Sequence, residues 1–233
     1  MAARIPTSIS IRPPTKYLPK GLDNDAAEIT DPAPFVPPPL EWLYGTWSVT
    51  HSTLSIWRSA QNVRITYKPC NNADKAPLAV DDLVEYEKKG VQSGAGSGGV
   101  KAVEGIDKPA DPAHPGGAWD WRGKGWLKIA SSHWEVLGYG ERPITAAAAA
   151  ETGGDDDSND GGVERWVVTW FAPTLFTQEG LDIYSDRKEG LSKETLDAIM
   201  KGLKELDDAP KIVTLTEKHM DPVAISLPWQ ERK

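Results

Sequence analysis

The chain has 233 residues, with 26 Lys and Arg side chains against 34 Asp and Glu, so its formal net charge is −8. Affinity for phosphate groups comes mainly from basic side chains, and no basic stripe occurs, so we expect neither a nucleic-acid nor a membrane partner. No apolar run of about 18 residues is present to span a membrane. The single cysteine, Cys70, excludes an intrachain disulfide framework and a thiolate metal cluster.

Prolines dominate the first 39 residues, which contain nine of the chain's 19. Because proline lacks a backbone N–H and fixes φ, we expect residues 1–39 to form an extended arm, either on the domain or in solvent. The basic residues before Asp23 are weakly suggestive of an organelle transit peptide. The prolines oppose the amphipathic helix that such a peptide needs, so we expect a cytoplasmic protein.

Short strands with turn signals between them follow the arm. From Gly45 the residues alternate, so that Trp47, Val49 and His51 share one face. Eight consecutive strands with meander spacing are typical of a sandwich or an up-and-down barrel. The predicted strands are 45–53, 62–68, 80–87, 100–106, 118–122, 126–137, 163–171 and 181–185.

A helix is predicted only after these strands. Ser192 is a suitable N-cap, Leu196, Ile199 and Leu203 form part of an apolar stripe, and Pro210 stops the helix. Residues 211–217 have the pattern of one more strand, and residues 228–233 form a tail. Two stretches rich in small or acidic residues, near 90–99 and 145–162, predict flexible insertions in the domain.

The order of these elements resembles that of lipocalins. Gly45-Thr46-Trp47 resembles the G-x-W signature that opens the lipocalin barrel, where the tryptophan closes one end. Residues 47–57, 119–126 and 132–138 resemble fungal lipocalin-like proteins of the calycin superfamily. The resemblance covers about residues 40–227. It implies an all-β, antiparallel up-and-down barrel of eight or nine strands with one C-terminal amphipathic helix and a cup for a small apolar or aromatic molecule.

Two histidines are the candidate catalytic residues. Alternation predicts that His51 points into such a barrel, where a histidine can transfer a proton or orient a ligand. A structural histidine bonded to a neighbour such as Thr53 is the alternative. The direction of His133 stays open, because a bend at Ser131 and Ser132 would reverse the alternation. The resemblance adds two possibilities, since some lipocalin-like fungal proteins catalyse cyclisation or isomerisation and nitrobindin-type relatives bind haem through a histidine.

The roles of two arginines in the predicted strands are also open. Arg64 and Arg122 can stack on an indole and close the end of a barrel, which we favour, or face a ligand's acidic oxygen. The full set of candidate ligand-binding residues comprises Trp47, Val49, His51, Arg64, Tyr67, Trp121, Trp134, Trp170 and Tyr184.

Metal and cofactor signals are weak. No H-x-H, H-x₃-H or H-E-x-x-H spacing occurs, and Asp155–Asp160 lacks the Gly and Glu of a calcium loop, so we expect no metal site and no cofactor. We therefore predict an intracellular lipocalin-like barrel that binds a small hydrophobic or aromatic molecule. One alternative is a cofactor-independent isomerase or cyclase acting on a fungal secondary metabolite, with His51 as proton shuttle and His133, Tyr67 or Tyr184 as further candidates. The other is haem binding through His51. The oligomeric state stays open.

Overall fold

The computed structural model describes residues 4–18, 35–70, 78–90, 99–145, 162–175 and 177–232. Eight antiparallel strands pair in chain order, and the first strand pairs with both the second and the eighth, so the sheet closes on itself. The predicted all-β up-and-down barrel is confirmed. Its strands are β1 Gly45–Ser52, β2 Ala60–Pro69, β3 Val80–Lys88, β4 Lys101–Pro109, β5 Ala118–Gly123, β6 Ser131–Pro143, β7 Val163–Phe171 and β8 Gly180–Ser185.

Three α-helices, three short 3-10 helices and a two-residue strand accompany the barrel in the described residues. The α-helices are α1 Leu40–Leu43, α2 Lys193–Lys204 and α3 Pro210–His219. The ninth strand, β9 Asp221–Pro222, pairs with the end of β1 outside the barrel. The predicted helix is confirmed as α2, and the Ser192 side chain accepts a hydrogen bond from the Thr195 backbone.

The prediction of a strand over residues 211–217 is wrong, because this segment lies within α3. Its β-branched residues favoured the strand, but Pro210 occupies the first turn of a helix, where its missing N–H costs nothing. Ile212 and Thr216, four residues apart, are both buried. Burial of one helical face therefore overrides the local propensity.

The predicted strand over residues 126–137 begins too early. Gly125 has a positive φ of 60°, which turns the chain out of β5. Residues Gly125–Ile129 form a 3-10 helix, and β6 starts only at Ser131. The strand then continues to Pro143, past the predicted end.

Strand alternation divides the buried side chains into two cores. The inner core fills part of the barrel, and the outer core lies between the wall formed by β6, β7 and β8 and the helices α2 and α3. The inner core includes Trp47, Val49, Val63, Ile65, Tyr67, Trp134, Val136, Val167 and Tyr184. The outer core includes Leu137, Trp166, Val168, Trp170, Leu181, Ile183, Ile199, Leu203 and Ile212.

The described part of the proline-rich arm lies on the barrel. The Arg12 N–H donates to the Leu137 carbonyl at 2.9 Å, and the Glu141 N–H donates to the Pro6 carbonyl at 2.8 Å, so residues 4–18 follow the outer face of β6. Gly138 permits this approach, because a Cβ atom there would lie 2.6 Å from the Ser10 carbonyl oxygen. Most of both predicted insertions, 91–98 and 146–161, falls outside the described residues.

Candidate functional site

Trp47 seals one end of the barrel. Its indole N–H donates to the Leu43 carbonyl at 2.8 Å. The Arg165 guanidinium lies 5.0 Å from the Trp47 ring and 5.5 Å from the Trp42 ring, and its Nε is 2.8 Å from Asp186 Oδ2. This cation–π and ion-pair arrangement makes the sealed end a rigid floor.

The arginine at that floor is therefore Arg165, and not either of the two that the sequence suggested. Arg64 lies on the outer face of β2, where it bonds Glu85 Oε2 at 3.2 Å and the Gln230 carbonyl at 2.9 Å. Arg122 donates to the Lys128 carbonyl at 3.0 Å. Arg64 thus holds the C-terminal tail on the barrel, and its position corrects its assignment to the ligand-binding set.

The expected inward direction of His51 is wrong. A β-bulge interrupts the pairing of β1 with β8, so that His51 lies opposite Ile183 and Ser52 lies opposite Asp182. Ile183 belongs to the outer core, which places His51 on the outer face. One extra residue in a strand shifts the alternation by one, and the inward position passes to Ser52.

The His51 ring lies against the Thr50 hydroxyl, with Nδ1 and Oγ1 3.3 Å apart. Burial lowers the pKa of His51, and the charge of Asp221 opposes this effect. Because the ring is outside the barrel, the inward histidine that haem binding requires is missing at this position.

His133 borders the open end of the barrel, but its ring is held on the outer face. Nδ1 lies 2.8 Å from Asp120 Oδ1, and Nε2 lies 3.7 Å from Glu135 Oε1. The neighbouring Glu135 carboxylate raises the pKa of His133 more than burial lowers it. Trp170, also in the outer core, meets the His133 ring edge-on. The two histidines therefore do not converge, and Trp170 lies outside the barrel instead of among the inward-facing residues.

A cavity of about 1110 Å³ occupies the other end of the barrel. Three of the residues expected to bind a ligand line it, namely Tyr67, Trp121 and Trp134. Tyr67 stacks on Trp134 with ring centroids 5.7 Å apart. Val49 and Tyr184 belong to the inner core and are not among the described lining residues. Further apolar lining comes from Leu54, Trp57, Ile65, Val84, Val103 and Phe171.

The mouth of the cavity lies between the loops that follow β1, β5 and β7. Large apolar side chains are exposed on all three loops, and Ile129 and Leu175 are 91% and 96% exposed. Ile56, Ile129 and Leu175 also contribute to the cavity lining. The rim of the mouth therefore has exposed apolar side chains next to polar residues such as Asp120 and His133, whereas most of the wall below it is apolar.

Three aspartates point into the barrel, and the sequence analysis missed them. Asp107 Oδ1 accepts from Trp134 Nε1 at 2.8 Å. Asp182 accepts from Ser52 Oγ at 2.5 Å and from Trp57 Nε1 at 3.3 Å. Asp82 lines the cavity together with Trp121. The sequence did carry a signal for it, since Asp82 alternates in phase with Val80 and Val84, which also face inward.

Burial dominates the ionisation of these carboxyl groups. It raises the pKa of Asp82 to about 7, although the Trp121 hydrogen bond and the charge of Lys124 oppose it. It also raises the pKa of Asp182 to about 7 against hydrogen bonds from Ser52 and Trp57. Burial, followed by the charge of Asp82, places the pKa of Asp107 well above its usual range. The cavity thus contains carboxyl groups that gain or lose protons near neutral pH.

No group of three or more His, Cys, Asp and Glu side chains within the described ranges is arranged to hold a metal ion. Across the same ranges, no helix has the length and apolar character needed to cross a bilayer.

No protein-family model matches the chain, and no curated protein does. Among solved structures, insecticyanin from the tobacco hornworm Manduca sexta is similar over 85% of this chain and 87% of its own, at 15% identity and a TM-score of 0.50. Apocrustacyanin C1 is similar over 79% of this chain and 78% of its own, at 10% identity and a TM-score of 0.43. The siderocalin Ex-FABP is similar over 80% of this chain and 95% of its own, at 13% identity and a TM-score of 0.41. The first of these likenesses shows a shared fold.

Proposed function

Because the chain has a lipocalin-like calycin fold, we propose that its barrel binds a small hydrophobic or aromatic molecule. The observation that supports this most directly is the cavity of about 1110 Å³, open at one end and lined mainly by aliphatic and aromatic side chains. Ligand sites are typically concave and apolar, with a few polar groups that orient the ligand. Here the floor built on Trp47 and Arg165 is fixed, and the apolar mouth is the entrance.

Native mass spectrometry of the protein from its own host tests this proposal. We expect a retained molecule at one per chain, which denaturing extraction releases for identification. The neutral aromatic alcohol 1-pyrenebutanol serves as a second probe for protein that has lost its ligand. Protein that carries nothing and also takes up no 1-pyrenebutanol contradicts the proposal.

A cofactor-independent isomerase or cyclase is the second candidate function. Its candidate proton carriers are aspartates of the cavity instead of the two histidines. His51 lies on the outer face, and His133, although it borders the cavity at its mouth, is bonded to Asp120, so the two histidines do not form a pair in the cavity. Asp82 and Asp182 both line the cavity, and burial raises the pKa of each to about 7, which suits a general acid or base at neutral pH.

Deuterium incorporation separates the two candidates. The released molecule is incubated with the protein in D2O and recovered for mass analysis. An isomerase that acts by proton transfer incorporates solvent deuterium, and Asp82→Asn or Asp182→Asn suppresses the exchange while binding persists. A carrier returns the molecule with its mass and structure unchanged.

Cys70 is buried and is the chain's only cysteine, so it forms no intrachain disulfide. On this ground we also propose an intracellular location, which cell fractionation with an antibody to the protein can check.

A further inference from the structure

Asp82 has an oxygen without a partner at the wall of the cavity. The side chain is buried, with 8% of the residue exposed, and it lines the cavity. The Oδ1 atom of this carboxyl group has no hydrogen-bond partner among the described residues. A buried acceptor without a donor costs free energy, so its retention points to a donor that the described protein does not supply.

The other two inward aspartates differ from Asp82. Asp182 also lines the cavity, but both of its oxygens have a donor: Ser52 donates to Oδ1 and Trp57 donates to Oδ2. Asp107 accepts from Trp134 through Oδ1; its Oδ2 also has no partner among the described residues, but Asp107 is not among the described lining residues. Asp82 therefore combines access to the cavity with an unmet hydrogen-bonding capacity.

The charge balance around the cavity favours a cation. No Lys or Arg is among the described lining residues, and His133, which borders the mouth, is paired there with Asp120. The basic group that acts on Asp82 is Lys124, and its Nζ lies 2.7 Å from Asp81 Oδ1 on the outer side of β3. Tyr67 and Trp121 are aromatic residues of the same cavity wall, and aromatic faces attract cations.

We propose that the cavity selects amphipathic amines, with the ammonium group bound to Asp82 and the apolar body held among the aromatic and aliphatic side chains. This inference rests on the proposed function and gives its ligand a chemical class. An ammonium group supplies donors to Asp82 Oδ1 and compensates its buried charge in one contact, which a neutral ligand cannot do.

Protonation of Asp82 gives the proposal a pH dependence. The titratable groups that face Asp82 are Tyr67 from β2, Asp107 from β4, Tyr184 from β8 and Lys124 from the loop after β5. With a pKa of about 7, Asp82 is mostly neutral at pH 5.5 and mostly ionised at pH 8. An alkylamine stays protonated over this range. The ionised fraction of Asp82 rises about thirty-fold between these two pH values, so amine affinity should rise by up to that factor.

The test is a fluorescence titration with three probes that share one aromatic body: 1-pyrenebutylamine, 1-pyrenebutanol and 1-pyrenebutyric acid. At pH 8 we expect the amine to bind about ten-fold or more tightly than the alcohol, and the acid to bind least tightly. Asp82→Asn should remove the amine preference, so that the amine and the alcohol bind this variant with similar affinity. Glu85→Gln is the matched control, because it removes one negative charge from the outer face of the same strand and should keep the preference.

The possible outcomes distinguish a failure of this inference from a failure of the proposed function. Alcohol binding without an amine preference, or an amine preference that survives Asp82→Asn, overturns the inference and leaves the proposed function standing. Binding of none of the three probes overturns both. If Asp82→Asn does not fold, the unmodified protein still decides, since an amine-to-alcohol affinity ratio that does not rise from pH 5.5 to pH 8 contradicts the role of Asp82.

Discussion

The indole of Trp121 lies directly over Gly105, so that a Cβ atom on Gly105 would be 2.0 Å from the indole nitrogen. Gly105 is also the cross-strand partner of Asp82. The missing side chain of the glycine thus leaves the space that the Trp121 indole occupies at the wall of the cavity. One backbone position therefore sets the geometry of the polar corner of the cavity.

Gly105→Ala is expected to displace Trp121 and weaken ligand binding. The new methyl group meets the rigid indole, and overpacking of this kind costs about 1–3 kcal/mol of unfolding free energy. Urea unfolding and titration with 1-pyrenebutanol measure the two effects. Gly99→Ala is the control, because a Cβ there meets nothing within 4 Å. Wild-type binding and stability in Gly105→Ala would refute the packing relationship.

Removal of the Arg165 side chain is expected to loosen the floor of the barrel. Arg165→Ala loses its contacts with Trp42 and Trp47 and its ion pair with Asp186, and should lower the unfolding free energy by about 2 kcal/mol. Arg165→Lys should retain only part of this stability, because an ammonium group lacks the planar fork. Arg122→Ala, which removes an exposed side chain, should change the unfolding free energy by less than about 0.5 kcal/mol. Equal effects of the Arg165 and Arg122 truncations would contradict the account.

Glu135 is expected to hold the proline-rich arm in place. It accepts hydrogen bonds from the Thr15 hydroxyl at 2.6 Å and from Arg12 Nη1 at 2.7 Å. Burial would raise the pKa of Glu135, but the hydrogen bonds from His133 and Thr15 and the charge of Arg12 lower it to about 2. Glu135→Gln should therefore cost about 2 kcal/mol at pH 7 and speed tryptic cleavage of the arm.

The sign of the pH dependence follows from the lowered pKa. The stabilisation by Glu135 is complete above its unfolded-state pKa of about 4.5 and is lost as the pH falls toward 2. The difference between wild type and Glu135→Gln should shrink over that range. Glu104→Gln, at an exposed pair with Arg232, is the control and should leave arm cleavage unchanged. A cleavage rate in Glu135→Gln equal to that of wild type would show that the contact does not hold the arm.

Asp182 is expected to make the protein more stable in mild acid than at neutral pH. Burial raises the folded-state pKa of Asp182 from 3.8 to about 7, so the folded state binds the proton more tightly than the unfolded state. One such group lowers the unfolding free energy by about 1.4 kcal/mol per pH unit between these two values. Urea unfolding from pH 4.5 to pH 7 should show this decline, and Asp182→Asn should reduce its slope. An unchanged slope in the variant would contradict an ionising Asp182.

Much of the barrel could be predicted because its strands keep a two-residue alternation. Residues Val63, Ile65 and Tyr67 illustrate it, since all three are buried in the inner core as the pattern indicates. His51 shows where the method fails, because the β-bulge before it depends on pairing with β8 and not on local composition. The inward direction of Asp82 could have been predicted, because Asp82 alternates in phase with the inward-facing Val80 and Val84. It was missed because a charged residue is normally expected to face outward.

The N-terminal arm shows a second limit. Its prolines predicted an extended segment, but its place on the barrel depends on distant residues. Gly138 and Glu135 receive it, and both lie more than 100 positions away in the chain. The floor has the same character, because Arg165 meets Trp47 only after the sheet closes. Contacts that close a barrel are set by the fold and are not visible in local patterns.

The central claim, that the cavity binds a hydrophobic molecule, is tested most directly by blocking the cavity. Val84 lines it, whereas the neighbouring Leu83 faces outward on the same strand, so Val84→Trp and Leu83→Trp form a matched pair. Titration of wild type and both variants with 1-pyrenebutanol should give one site per chain in wild type and Leu83→Trp. Val84→Trp should lose at least ten-fold in affinity. Equal affinity in all three proteins would place the binding elsewhere and contradict the claim.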